Sequence, residues 1–323
     1  MTNKENALRI LRFDKPERVA TEAPCHWMAY TGCNHETIDG GGGHDSPVGS
    51  HWTDIWGTGW FREQDGVMGF PRINPLADMA DLKHYAWPNP DDERICAKIY
   101  AMKNRFASGD CFLAGSHRDT LWEKSYMLAG MENMMVWLHN EPNRAREILR
   151  GIMDFQLGIA KHYLACGIEW AGLGDDLGTQ HSLLMGEDLL REFFFPEYKR
   201  LFDLYKRNGV VISFHSCGHV EPVLGMLMEL GVDCLNPVQA TANNLARVRE
   251  MTRGKMALQG GVSTELIMKG PADEIKKATR DAIALLGRDG GYFCSPDQGM
   301  PFPPENIAAF HEAVEEYGLM KKP

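Results

Sequence analysis

From about residue 145 onward the chain alternates amphipathic helical segments with short apolar runs, and this alternation constrains the fold more than any other feature of the sequence. "EPNRAREILRGIMDFQLGIAKHYLACG" and "GEDLLREFFFPEYKRLFDLYKRNG" carry apolar residues at helical spacing and stop at Gly167 and Gly209, as helices commonly do. Between and after them lie "GIEWAGLG", "VVISFHSC", "VDCLNPV", "KMALQGGV" and "GGYFCSP". Each is short and bounded by glycine or proline, so each reads as a strand of parallel β/α units. "RVATEAPCHWM", "HWTDIWGTGWF" and "CFLAGSH" raise the expected strands to eight, in a less regular amino-terminal half that holds the loop "DGGGGHDSPVGS". A doubly wound sheet would carry a glycine-rich GxGxxG turn after its first strand, and none is present. The expected fold is therefore a single (β/α)8 TIM barrel over residues 1–323 with an irregular amino-terminal lid region.

Charge and cysteine usage narrow the function. A net charge of −10 without a Lys/Arg cluster disfavours nucleic acid and anionic membranes as partners. The longest apolar runs fall short of the ~20 residues that span a bilayer, and the start "MTNKENALRILRF" lacks an apolar signal core, so a cytoplasmic location is expected. The eight cysteines are scattered without a CxxC pair, which argues for reduced thiols and against a disulfide framework. The 18 methionines read as core filling.

Within "VVISFHSCGHV" an apolar, β-branched run ends in His215 and Cys217. Side chains two apart on a strand share a face, so these two point the same way. Chance alone gives roughly 0.3 His-x-Cys pairs in a chain of this composition, so the motif gains weight only from its place. In a β/α barrel the active site lies at the carboxyl ends of the strands, where His215 and Cys217 stand. Asp175 and Asp176 follow another strand, and Cys294 lies in the last. One imidazole and two thiolates would leave a zinc ion with one open position, the arrangement of a catalytic site. The plain alternatives are a core histidine beside an inert thiol, a core cysteine at 294 and helix-capping aspartates.

From about residue 165 the chain resembles the uroporphyrinogen decarboxylase superfamily, and "ALQGGVSTELIMKGPADEIKKATRDAIALLGRDGGYFCSPDQGMPFPPENIAAFHEAVEEYG" is similar to its long carboxyl-terminal signature. The resemblance implies the same barrel. The decarboxylases carry an arginine-rich amino-terminal motif for porphyrinogen carboxylates, whereas "APCHWMAYTGCNHET" at 23–37 has no arginine. The His-x-Cys pair instead resembles the zinc-dependent, corrinoid-linked methyltransferases of the superfamily, both the methylcobamide:thiol enzymes and those that demethylate aryl ethers. That likeness implies zinc held by His215, Cys217 and Cys294. It departs at Asp297 and Gln298, which follow Pro296 where the thiol enzymes have Gly-Cys. Asp297, Glu169 and Asp175 are then the substitute ligands.

The resemblance implies that zinc activates the substrate oxygen or sulfur, and that a corrinoid cobalt accepts or donates the methyl group. With no DxHxxG corrinoid motif in the chain, the cobalamin belongs to a separate corrinoid protein. Asp54, Asp175 and Asp176 are the candidate catalytic residues. His26, Trp27, Trp56, His117 and Gln239 are the candidate substrate contacts, and His117 or Arg118 could bind a substrate carboxylate. Four of the eight tryptophans, Trp27, Trp52, Trp56 and Trp60, fall in the lid segment and favour a methoxylated aromatic as methyl donor. A homodimer is compatible with this reading. A lyase of a small carboxylic acid, a methylcorrinoid:thiol methyltransferase and a non-enzymatic corrinoid-binding module stay as alternatives.

Overall fold

The structure is a computed structural model that describes residues 1–106 and 109–320. Seven strands form one parallel sheet: β1 (Cys25–Met28), β5 (Phe112–His117), β6 (Trp170–Gly174), β7 (Val211–His215), β8 (Cys234–Val238), β9 (Ala257–Val262) and β10 (Tyr292–Pro296), paired in that order. Helices connect successive strands from β5 onward, as parallel pairing requires. The sheet curls until its edges approach, and Ala20, just before β1, forms an isolated parallel bridge to Phe293 in β10.

The expectation of eight barrel strands is corrected here, because "HWTDIWGTGWF" does not join this sheet. It folds into β2 (His51–Thr53) and β3 (Gly59–Phe61), which pair antiparallel with each other and then with β4 (Phe70–Ile73). The cause is Asp54. Its Oδ1 accepts hydrogen bonds from the backbone N–H of Trp56 (2.9 Å) and Thr58 (3.0 Å), which folds the segment back on itself. Gly57 completes the turn at φ +79°.

Strand alternation divides the core in two. Convex-side residues such as Ile212, Phe214, Leu235, Leu258 and Cys294 pack under the helices. Concave residues near the amino end of the strands, Phe112, Ala114, Trp170, Cys234, Ala257 and Phe293, form a separate cluster with Ala7 and Ile10 of the helix Asn3–Leu11, which plugs that end. All eight cysteines are free, and among the described residues no helix is long and apolar enough to cross a membrane.

Candidate active site

At the carboxyl ends of the strands the curled sheet opens into a cavity of about 690 Å³, lined by residues of β1 and of each strand from β5 to β9, the loops that follow them, and Gln298 beyond β10. Three potential metal ligands converge there. One donor atom each of Asp176, His215 and Cys217 lies within 4.8 Å of the other two. His215 ends β7, and Cys217 follows two residues later on the same side. Asp176 comes from the loop after β6, which lies against the loop after β7 backbone to backbone. At Gly178 an added Cβ would meet the His219 nitrogen at 2.7 Å, and Gly218 sits at φ +81° with Gly178 backbone 2.5 Å from its Cβ position. That close approach lets Asp176 Oδ1 accept the Cys217 backbone N–H at 2.9 Å.

Protonation and orientation decide whether these atoms suit a metal ion. His215 Nδ1–H donates to Asn236 Oδ1 at 2.9 Å, which fixes the ring and leaves Nε2 as the free acceptor. Nε2 lies 3.3 Å from Cys217 Sγ and 3.6 Å from Asp176 Oδ1. Burial, and then the Asp176 carboxylate, push the Cys217 thiol well above the usual range, because nothing cationic stands nearby to favour the thiolate. A divalent cation would supply that missing charge. Imidazole, thiolate and carboxylate together suit zinc, with a fourth position facing the cavity. The Gln298 side-chain amide also contacts Cys217 Sγ, and it comes from the segment where the thiol enzymes place their distant cysteine.

Cys294 is not brought to this cluster. Along β10, Phe293 faces the concave side, so Cys294, one residue on, faces the helices. It is fully buried, and burial raises its thiol to about 12. Asp176, expected as a catalytic carboxylate, lies in the cluster with His215 and Cys217 instead. Of the proposed substitutes, Glu169 pairs with Lys4 at the opposite end of the strand (2.7 Å). Asp297 accepts the backbone N–H groups of Ala240 and Gly261, both at 3.0 Å, and burial raises it to about 7. Asp175 is fully buried and accepts from the N–H groups of Leu121 (2.8 Å) and Glu123 (2.7 Å) and from the Tyr198 hydroxyl (2.6 Å). It caps the helix Trp122–Ala129 and does not line the cavity.

The other expected site residues divide in the same way. Trp27 lines the cavity. His26, its neighbour on β1, faces outward and stacks on Phe106. Trp56 is buried against Phe155 and Trp87, away from the cavity, and Asp54 holds the β2–β3 turn and the Trp60 indole N–H (2.9 Å). His117 faces the helices, where Nδ1–H donates to Gln156 Oε1 (2.7 Å) and Nε2 accepts from the Tyr205 hydroxyl. Burial lowers it to about 4. Gln239 Oε1 accepts the Gly218 N–H at 2.9 Å and so supports the loop that carries Cys217.

Several lining residues carried no signal of their own in the sequence: Asn34, Met68, Asp119, Glu123, Asn236 and Gln259. Glu123 is raised to about 9, first by burial and then by Asp119, Asp175 and Asp176 around it. Asp119 Oδ2 faces His35 Nε2 at 3.1 Å beneath the lid. A strand-end position was the clue available for Asp119, which stands two residues beyond the carboxyl end of β5.

Comparison with known proteins bears on the family and the fold. Residues 65–317 match the uroporphyrinogen decarboxylase (URO-D) family. The chain is similar to a methylated-thiol–coenzyme M methyltransferase of Methanosarcina mazei, 27% identical over 195 residues that cover 58% of this chain and 49% of that protein. It is also similar to a uroporphyrinogen decarboxylase from an Anaeromyxobacter species, 24% identical over 194 residues covering 58% and 52% of the two chains. These matches span about half the length of each curated relative. A solved methyltransferase from Methanosarcina mazei superposes with a TM-score of 0.73 over 98% of this chain and 99% of that one, at 16% identity, a likeness of fold.

Proposed function

The chain belongs to the uroporphyrinogen decarboxylase family, and from that premise we propose that it is a zinc-dependent methyltransferase that moves a methyl group between a small methylated substrate and a corrinoid carried by a separate protein. The observation that carries the proposal is the convergence of Asp176, His215 and Cys217 on one point of the cavity. The similarity to a methylated-thiol–coenzyme M methyltransferase supports the reaction class. The favoured substrate is a methoxylated aromatic, since the exposed Trp27 indole gives the cavity a flat apolar face.

Bound by these three residues, zinc would supply a Lewis acid for the oxygen or sulfur that exchanges the methyl group. The chain's own groups do the rest. Asn236 holds the His215 ring so that Nε2 is presented to the cavity. Asp176 fixes the Cys217 backbone, and Gln298 donates toward the sulfur. Glu123, raised to about 9, holds a proton at neutral pH within the same cavity. Met68 adds apolar surface that limits water around a bound ring.

Transfer from a methylcorrinoid to a thiol runs through the same residues in reverse. Decarboxylation is favoured by the similarity to a uroporphyrinogen decarboxylase and disfavoured by the absence of arginine from residues 23–37. Metal analysis and cobalt spectroscopy together test the reading. The purified chain should hold close to one zinc, Cys217→Ala should lose it, and cob(I)alamin should be methylated when an aryl methyl ether is added. Full zinc content in Cys217→Ala, or carbon dioxide release from a carboxylic acid without any corrinoid, overturns the proposal.

A further inference from the structure

Among the described residues that line the cavity Arg118 is the single Lys or Arg, and its donors are largely unspent. Its Nη1 has only the Asn34 Oδ1 at 3.5 Å, its Nη2 a neutral thioether, Met68 Sδ, at 3.2 Å, and its Nε stands 3.9 Å from Asp119 Oδ1, beyond hydrogen-bond reach. Asp119 is turned the other way, with Oδ2 toward His35. A guanidinium carries five donors in a planar fork that matches a carboxylate. Resting on the methyl-transfer reading above, we infer that the methyl-bearing substrate is an aromatic carboxylate, its carboxylate paired with Arg118 and its ring laid over Trp27.

Strand register sets the span. His117 in β5 is level with Leu173 in β6, and Leu173 with Phe214 in β7. One residue further along each strand, Arg118 and His215 therefore stand at the same height, two strand spacings or about 10 Å apart. From backbones so spaced, both side chains enter the cavity, and a benzene ring with substituents at opposite sides can present one end to the guanidinium and the other to the His215–Cys217 edge. The floor below that level is aromatic. An added Cβ at Gly172 would lie 2.6 Å from the Trp27 ring, so the indole covers that glycine directly. Gly172 stands two residues, about 7 Å, below the height of His215. Trp27 remains 45% exposed, an unusual state for an indole inside a sheet and one that a stacked ring would relieve.

The remaining carboxylates make the placement selective. Glu22, Asp119, Glu123 and Asp176 also line the cavity and disfavour an anion beside them, so a ligand carboxylate is directed to the guanidinium of Arg118. The inference thus names both a ligand class and the residue that reads it.

Zinc-loaded protein titrated by calorimetry with 4-methoxybenzoate, benzoate and the neutral 4-methoxytoluene tests it. Both carboxylates should bind roughly tenfold or more tighter than the neutral ether, the effect of a charge-assisted pair. Arg118→Gln should cost the carboxylates about ten- to a hundredfold and leave the neutral ether unchanged, and Arg118→Lys should recover part of the loss. Circular dichroism establishes that both variants fold. Equal binding of charged and neutral ligands, or an equal loss for both in Arg118→Gln, overturns the inference. Carboxylate binding that depends on Arg118 without any methylation of cob(I)alamin would sink the methyl-transfer reading and leave the anion site standing. Methylation of cob(I)alamin by 4-methoxybenzoate with a KM that Arg118→Gln does not alter would do the reverse.

Discussion

Followed from the amino to the carboxyl end, the concave face changes character strand by strand. β5 presents Phe112, Ala114 and Ser116; β6 presents Trp170, Gly172 and Gly174; and β7 presents Val211, Ser213 and His215. β8 passes from Cys234 to Asn236, and β9 from Ala257 to Gln259. The first members of each series close on Ala7 and Ile10 as a dry plug, and the last open into the cavity. One set of strands therefore serves two ends with different obligations. At the plug, apolar burial stabilises the sheet. At the mouth, glycines and small polar groups leave space, and the ligands of the candidate metal centre contribute little packing.

Mutation at each end should separate these roles, and the largest effect belongs to the plug. Phe293→Ala removes a fully buried ring from the concave cluster and should lower the unfolding free energy by about 3–5 kcal/mol. Cys217→Ala, at a half-buried position, should cost less than about 1 kcal/mol in metal-free protein while abolishing zinc binding. Urea titration of the two metal-free variants, with zinc analysis of each, checks both statements. If the Cys217 variant proves the less stable, the division between the two ends is wrong.

A second contrast sets two histidines at the carboxyl ends of their strands on opposite faces. His215 faces the cavity, and His117 faces the helices between Gln156 and Tyr205. Burial lowers the folded-state pKa of His117 from 6.5 to about 4, so between those values the unfolded chain takes up a proton that the folded chain refuses. Stability is thus fully present above the unfolded pKa of 6.5 and falls as pH drops toward 4, by up to on the order of 3 kcal/mol. Denaturation curves at pH 7 and pH 4.5 should show the loss. A His117→Gln variant should be weaker at pH 7 yet flatter with pH, and an unaltered slope would remove His117 as its cause.

Asn236→Ala sharpens the same division at the mouth. It removes the acceptor that orients His215 without touching a ligand atom, so zinc affinity should fall about 10- to 100-fold while the melting temperature of the metal-free chain barely moves. Competition with a chelator measures the first and thermal denaturation the second. Unchanged affinity would mean that the ring is held by something other than Asn236.

The hydrophobic pattern made the strands of the second half legible, because each is a short apolar run between helical segments, and it placed His215, Cys217 and Asp176 at strand ends. Three things were beyond it. "HWTDIWGTGWF" has the composition of a buried strand, and the Asp54 side chain, by capturing two backbone N–H groups, together with Gly57 at positive φ, makes it a hairpin. Asp175 and Asp176 are adjacent and chemically alike. Their roles diverge because one side chain turns inward to cap the helix Trp122–Ala129 and the other turns toward His215. The tryptophans of the lid look equivalent in sequence, yet Trp56 is buried against Phe155, Trp60 is buried between His35 and Trp52, and Trp27 lines the cavity.

Cys294 gives the smallest expected effect and the clearest test of how far alternation can be trusted. A cysteine in the last strand at the carboxyl end invites assignment as a zinc ligand, but a strand offers its residues to alternate faces, and a shift of one position exchanges cavity for helix layer. Phe293 packs in the concave cluster and Cys294 in the convex one. Cys294→Ala therefore removes one buried sulfur from a packed layer, which should cost about 1 kcal/mol, and should leave zinc stoichiometry and affinity as they are in the unaltered chain. Zinc content measured beside urea unfolding reads both quantities in one preparation. Loss of zinc from Cys294→Ala would require the last strand to present its opposite face to the cavity. The proposed third ligand would then be the Cys294 thiolate, with Asp176 a neighbouring carboxylate.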